Sequence, residues 1–171
     1  MEQVLREFIK TAQDLEKILS AIPETGFNQD PNNRGWTAGQ VFRHLVKSNG
    51  GFLQVINGPV KETHRPPDEW VKKISSDFSD FSIKMESPEP VVPEMKEYDK
   101  ERMLHSVQEI NKGLLYSIQN LDLTKTCTLF RLPVYGLLTR LEAIYFVIAH
   151  TKRHLYQLNK FYIPVTLKNN L

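Results

Sequence analysis

Cysteine is almost absent: the 171 residues contain one, Cys127. A lone thiol cannot form an internal disulfide, which fits a reducing cytoplasm. Flanked by Thr126 and Thr128 in a loop or extended segment, with no base adjacent in sequence, it reads as a structural residue and not as a nucleophile. An excess of one charge is lacking too. The chain carries 22 Lys and Arg against 20 Asp and Glu, for a net charge of +2. These charges are interleaved and form no basic stripe, so nucleic acid is not an expected partner. No apolar run approaches the roughly eighteen residues of a membrane span. The opening stretch MEQVLREFIKTAQDLEK is charged throughout, so neither export nor membrane insertion is expected. Repeats and low-complexity tracts are also missing. What remains, 40% hydrophobic and 25% charged residues, predicts one ordinary soluble domain over 1–171, long enough to bury a sizeable core.

Apolar residues recur at three and four positions in four segments, the spacing of amphipathic helices. Val4, Leu5, Phe8, Ala12, Leu15, Ile18, Leu19 and Ile22 predict a helix over 2–22, stopped by Pro23. The turn formers FNQDPNNRG follow. A second helix, over 37–56, opens with Thr37 as N-cap and Gln40 three residues on, a capping box. Asn57-Gly58-Pro59 ends it. Met103, Val107, Ile110, Leu114, Ile118 and Leu121 predict a third helix over 97–121. The last, over 139–161, has Thr139 and Glu142 as a second capping box and Pro164 as its stop, with a frayed LKNNL tail.

Between the second and third helices, residues 60–97 contain Pro66, Pro67, Pro88, Pro90 and Pro93, which forbid a long helix. Two helical turns fit 67–74. Trp70, Phe78 and Phe81 predict that this connection packs across one end of the bundle. A short, isolated strand fits TKTCTLFRLPVYG. The sum is an all-α fold, a four-helix bundle whose long second connection permits a crossover topology.

Chemistry concentrates in the last helix. His150 and His154 stand four residues apart on a stripe with Val147 and Leu158, so both imidazoles face the core. That spacing lets two rings reach one metal ion, and two buried imidazoles need hydrogen-bond acceptors, a metal, or both. A third ligand must come from another helix, and His44, beside Val41 and Leu45 on the second, is the natural one. Taken alone, His44 reads first as a core histidine bonded to a backbone or side-chain acceptor. His64 reads as a solvated loop residue, and His105 falls on the charged face of the third helix.

The run Trp36-Thr-Ala-Gly-Gln-Val-Phe-Arg-His44-Leu, the Pro-rich middle, the turn Leu132-Pro-Val-Tyr-Gly136 and the run His150-Thr-Lys-Arg-His154-Leu-Tyr-Gln157 together resemble the DinB-like superfamily and its YfiT-like metal-dependent hydrolases. The resemblance covers nearly the whole chain. It implies a four-helix bundle, a divalent ion (zinc, nickel or iron) held by His44, His150 and His154, and a homodimer. It also implies either hydrolysis or transfer of a low-molecular-weight thiol, a possible cosubstrate in relatives that handle bacillithiol or mycothiol, acting on a small molecule. Many relatives carry an acidic residue after the first histidine of the pair; here it is Thr151, which removes any acid–base role for that side chain. Gln157 and Tyr145 are candidates for supporting contacts by their place on the helix. The competing expectation is a non-catalytic helical bundle or interaction module with a structural or vestigial metal site. Free imidazole titrates near pH 6.5, so metal affinity is expected to fall steeply from about pH 7 to 5.

Overall fold

The computed structural model describes residues 2–30, 35–83 and 85–161. The turn residues 31–34, Pro164 and the LKNNL tail lie outside them. Four long helices form the bundle: α1 (Glu2–Ala21), α3 (Ala38–Asn57), α5 (Lys100–Asn120) and α6 (Arg140–Phe161). Two short helices, α2 (Glu24–Phe27) and α4 (Val71–Ser79), lie in the connections, together with a 3-10 turn at Glu89–Val91. Among the described residues, no helix is long and apolar enough to cross a membrane.

Both expected capping boxes are present. Thr37 Oγ1 accepts from Gln40 N while Gln40 Oε1 accepts from Thr37 N, at 3.1 and 2.9 Å. Thr139 and Glu142 make the same reciprocal pair at 3.1 and 2.8 Å. Each satisfies two backbone donors that a helix start leaves without partners. The third long helix begins later than its periodicity predicts, because Asp99 caps it by accepting from Arg102 N at 2.8 Å.

The helices do not neighbour one another in chain order. Around the bundle the sequence is α1, α5, α3, α6, so that α1 faces α3 across one diagonal and α5 faces α6 across the other. The crossover anticipated from the long connection is thus realised. It makes α3 and α6, the two helices that carry the paired and single core histidines, direct neighbours.

Apolar packing falls into two clusters. One is built from Val4, Phe8, Phe52, Ile56, Leu114, Ile118, Ile144 and Ile148. The other gathers Leu15, Leu19, Phe27, Phe42, Leu45, Val107, Leu155 and Leu158. Between them sits a polar layer of buried side chains, including Thr11, His44, Ser48, Asn49, His150 and Thr151.

Three sequence expectations are corrected. The short helix in the Pro-rich connection spans Val71–Ser79, not 67–74: residues 67–70 are turn, closed by three-residue bonds from Glu69 N to the Pro66 carbonyl and from Val71 N to that of Asp68, at 3.3 and 3.0 Å. That connection does not cross one end of the bundle. It runs along α6, from Trp70, whose amide donates to Glu142 at 3.0 Å, to Phe81, stacked on Tyr156 at 4.0 Å. Finally, the strand in TKTCTLF is not isolated. Thr126–Cys127 (β2) pairs antiparallel with Val60–Lys61 (β1), satisfying backbone groups that neither segment could satisfy alone. Cys127 is fully buried there, and burial pushes its thiol up to about 11, consistent with a structural role.

The turn before α6 closes through two backbone bonds between Leu132 and Gly136, at 2.9 and 2.8 Å. Val134 at its tip has φ 73° and Gly136 φ 77°; the glycine meets that requirement without strain, whereas the β-branched valine does not. The turn drives Tyr135 inward, where its hydroxyl donates to Asp77 at 2.5 Å.

Candidate metal centre

His44 is fixed by α3, one turn beyond its capping box, and points across to α6. Val41, Leu45 and Phe42 around it are buried, so the helix has no rotational freedom to withdraw the ring. His150 and His154 come from successive turns of α6. The three imidazoles meet between the two helices: Nε2 of His44 lies 3.0 Å from Nε2 of His150, and Nε2 of His154 lies 3.1 Å from the same atom. One nitrogen from each ring falls within 4.8 Å of the others.

The outer nitrogens are already committed. His44 Nδ1 is 2.9 Å from the Val91 carbonyl, and a carbonyl only accepts, so the proton of the neutral ring sits on Nδ1 and Nε2 presents a lone pair. His154 Nδ1 is 2.9 Å from Gln157 Oε1 and donates to it, with the same consequence. His150 Nε2 therefore faces two lone pairs and has at most one proton to offer. An arrangement of this kind is satisfied by a cation at its centre. Two nitrogens bonded to one ion at about 2.0–2.1 Å lie between about 2.9 and 3.4 Å apart, for right-angle and tetrahedral geometries respectively. The observed 3.0 and 3.1 Å fall inside that range.

The surroundings keep the rings neutral. Burial is the largest influence on all three and lowers each pKa, that of His154 to about 4 and that of His150 well below its ordinary value. Lys47 acts on His44, and Arg153 on both α6 histidines, in the same direction. Neutral imidazoles are the form that binds metal. Among the described residues no carboxylate hydrogen-bonds any of the three rings.

Aromatic side chains wall the centre. Trp36 lies 5.1 Å from His44, and Phe146 and Phe78 lie 5.6 and 5.8 Å from His150, centroid to centroid. His44 and His150 are only 2% and 8% exposed. Two small cavities, each of about 10 Å³, lie elsewhere, both lined in part by Asn49, and no imidazole of the triad lines them.

Other candidates are sorted by the same geometry. His64 and His105 are exposed and away from the triad. Gln157 does hold one ring of the triad, that of His154. Tyr145 does not: it packs half-buried against the apolar cluster and feels Glu7 and Asp68. Thr151 is buried and accepts from Asn49 Nδ2 at 3.2 Å, on a different side of α6 from the triad, so the residue that replaces an acid here has no contact with the rings. Sequence reasoning missed two contributors. The Val91 carbonyl leaves no trace in residue identity, because every residue has one. Arg153, three residues after His150, is legible as a cation beside the site but not as a binder of backbone carbonyls.

Comparison with known proteins agrees with this picture. A search of curated proteins gives no match. Among solved structures, the chain superposes with a TM-score of 0.57 at 16% identity, over 93% of its own length and 85% of the other's, on YfiT from Bacillus subtilis, described as a probable metal-dependent hydrolase with an unusual four-helix bundle topology. At that identity the likeness establishes the fold alone. The family model for the DinB superfamily matches residues 7–158, a stretch that contains most of the four long helices and all three imidazoles of the cluster, and the chain belongs to that superfamily.

Proposed function

We propose that the chain is a metal-dependent enzyme in which His44, His150 and His154 hold one divalent ion, zinc, nickel or iron. Its reaction is hydrolysis of a small molecule, or transfer to it of a low-molecular-weight thiol. The observation that carries this reading is the convergence of three Nε2 atoms, with the Nδ1 atoms of His44 and His154 occupied by Val91 and Gln157 and that of His150 3.4 Å from Ser48 Oγ. The description of YfiT as a probable metal-dependent hydrolase supports it. Three protein ligands are the pattern of a catalytic site, since a structural ion normally takes four. An ion held there supplies Lewis acidity, lowering the pKa of a water or thiol that reaches it. The protein's own contributions are distinct from that. Val91 and Gln157 orient His44 and His154, while Trp36, Phe78 and Phe146 exclude bulk water. Among the described residues no carboxylate bonds to the triad, so none of them stands against the rings as a general base.

One observation favours the competing reading of a non-catalytic bundle with a structural ion: two of the three imidazoles, those of His44 and His150, are closed off from solvent. Metal analysis of protein purified without chelators or a polyhistidine tag tests the ion. The expected result is about one equivalent per chain, lost on replacing any of His44, His150 or His154 by Ala and retained in His64→Ala and His105→Ala. Equal losses across all five variants would mean adventitious surface binding. For cobalt-loaded protein, a spectrum that changes on adding a small thiol supports an open position; an unchanged spectrum with the ion retained favours hydrolysis or a purely structural ion.

A further inference from the structure

Arg153 joins α6 to the far end of the Pro-rich connection. Its guanidinium reaches across from α6 to the end of α4 and donates to three backbone carbonyls, those of Phe78 (3.4 Å), Asp80 (2.7 Å) and Ile83. It also lies 5.8 Å from the centroid of the Phe81 ring. Carbonyls in the last turn of a helix lack intrahelical partners and attract cations, which accounts for the contact with Phe78 and Asp80. The reach to Ile83 goes beyond capping. It holds three further residues in place, of which Phe81 and Ile83 are 46% and 51% exposed and Phe81 alone has a second hold on α6, its stack on Tyr156 at 4.0 Å.

What is held there is the cover of the triad. Phe78 rests edge-on against Phe146 at 5.0 Å and against His150 at 5.8 Å, and it is the ring that α4 contributes to the wall. The other side of the centre is covered by the segment around Val91, pinned to α3 by different cations: Lys47 donates to the Val92 carbonyl at 2.7 Å, and Lys47 and Arg43 pair with Glu94 at 3.0 and 3.3 Å. The two covers differ in what they do. The Val91 side touches His44 directly and must stay for that ring to keep its tautomer. The Phe78 side makes no hydrogen bond to any imidazole of the triad, so it can move without disturbing the donor set.

The geometry points to Arg153 as the positioning residue that controls access to the three-histidine centre, by latching the end of α4 so that Phe78 closes over His150. With the latch made, only small groups pass; with it broken, Phe78 and the residues to Ile83 swing away and bulkier ligands reach the rings. This inference concerns the same centre and rests on the functional reading above. It predicts a size-selective step set by a side chain that touches neither the imidazoles nor an ion.

Access is measurable on the metal-free full-length protein with diethyl pyrocarbonate, which acylates neutral imidazole, followed residue by residue by peptide mass spectrometry. In the wild type, His150 and His154 should react slowly, while His64 and His105 react at the rate of exposed histidine. Arg153→Ala should accelerate the α6 pair about tenfold or more, the population change that follows from deleting a charge-assisted hydrogen bond, with His64 and His105 unchanged. Arg153→Lys, which keeps the charge but not the fork, should fall between. Phe78→Ala, which removes the cover and leaves the latch, should match Arg153→Ala and serves if that variant does not fold. Equal triad rates in the wild type, folded Arg153→Ala and Phe78→Ala overturn the inference, as does a wild-type triad that reacts as fast as His64. Because no ion is involved, these rates are separate from metal stoichiometry: a chain that takes up no ion defeats the functional reading and leaves this measurement decisive for the latch.

Discussion

His154 shows how burial acts at the scale of one side chain. Its pKa, lowered to about 4 chiefly by burial, means that the folded chain keeps the ring neutral at pH values where an unfolded chain, titrating near 6.5, would protonate it. The sign follows directly. Above about pH 6.5 neither state binds the proton and there is no penalty; as pH falls from 6.5 to 4 the unfolded state takes up protons and the folded state loses ground, by roughly 2–3 kcal/mol for this residue. Urea midpoints of the metal-free protein at pH 7.5, 5.5 and 4.5 should drop accordingly, and His154→Leu should make the profile shallower between 6.5 and 4, with His44 and His150 leaving the remainder. An unaltered profile in that variant would refute the depressed pKa. The same effect revises the expectation drawn from free histidine. Since the folded rings resist protonation, loss of metal should be displaced to lower pH than the free-histidine window of 7 to 5, with proton competition at His154 setting in near 4.

Among the elements, the junction of α6 with the Pro-rich connection is the most tightly specified. Glu142 is fully buried. Beyond its capping bond it accepts from both terminal nitrogens of Arg65 at 2.6 Å and from Trp70 N at 3.0 Å. The capping-box role was legible from Thr139 and Glu142 at their spacing of three. The pairing with Arg65 was not, because 77 residues separate the two and no local pattern links them. Removing the buried member leaves Arg65, 24% exposed, and the amides of Thr139 and Trp70 without their acceptor. Glu142→Ala should therefore cost roughly 3–5 kcal/mol, measured by chemical denaturation. A double-mutant cycle with Arg65→Ala should return a large coupling energy; additive losses would show that the pair contributes little beyond the cap.

For the whole molecule, the polar layer between the two apolar clusters is the organising feature. Packed apolar side chains above and below hold α3 and α6 in register, and the imidazoles meet at the level between them. Asn49 belongs to the same layer, and its Oδ1 has no hydrogen-bond partner there. The homodimer implied by the family resemblance is a matter of assembly, and sedimentation equilibrium at micromolar concentration tests it: about 40 kDa is expected, twice the chain mass of 19.9 kDa, and a species at the chain mass would overturn it. What the sequence by itself determined is everything carried by local periodicity and short-range chemistry. The four helices, both capping boxes, the inward face of His150 and His154 and the exposure of His64 and His105 all follow from spacings of three and four residues. Only the tertiary structure decided which helices are neighbours, and with it that His44 reaches the α6 pair, that Val91 fixes its tautomer and that Arg153 holds Phe78 over the rings. These contacts join residues 47 to 106 positions apart. Distance along the chain carries no periodic signal, and several of the acceptors are backbone carbonyls that residue identity does not mark.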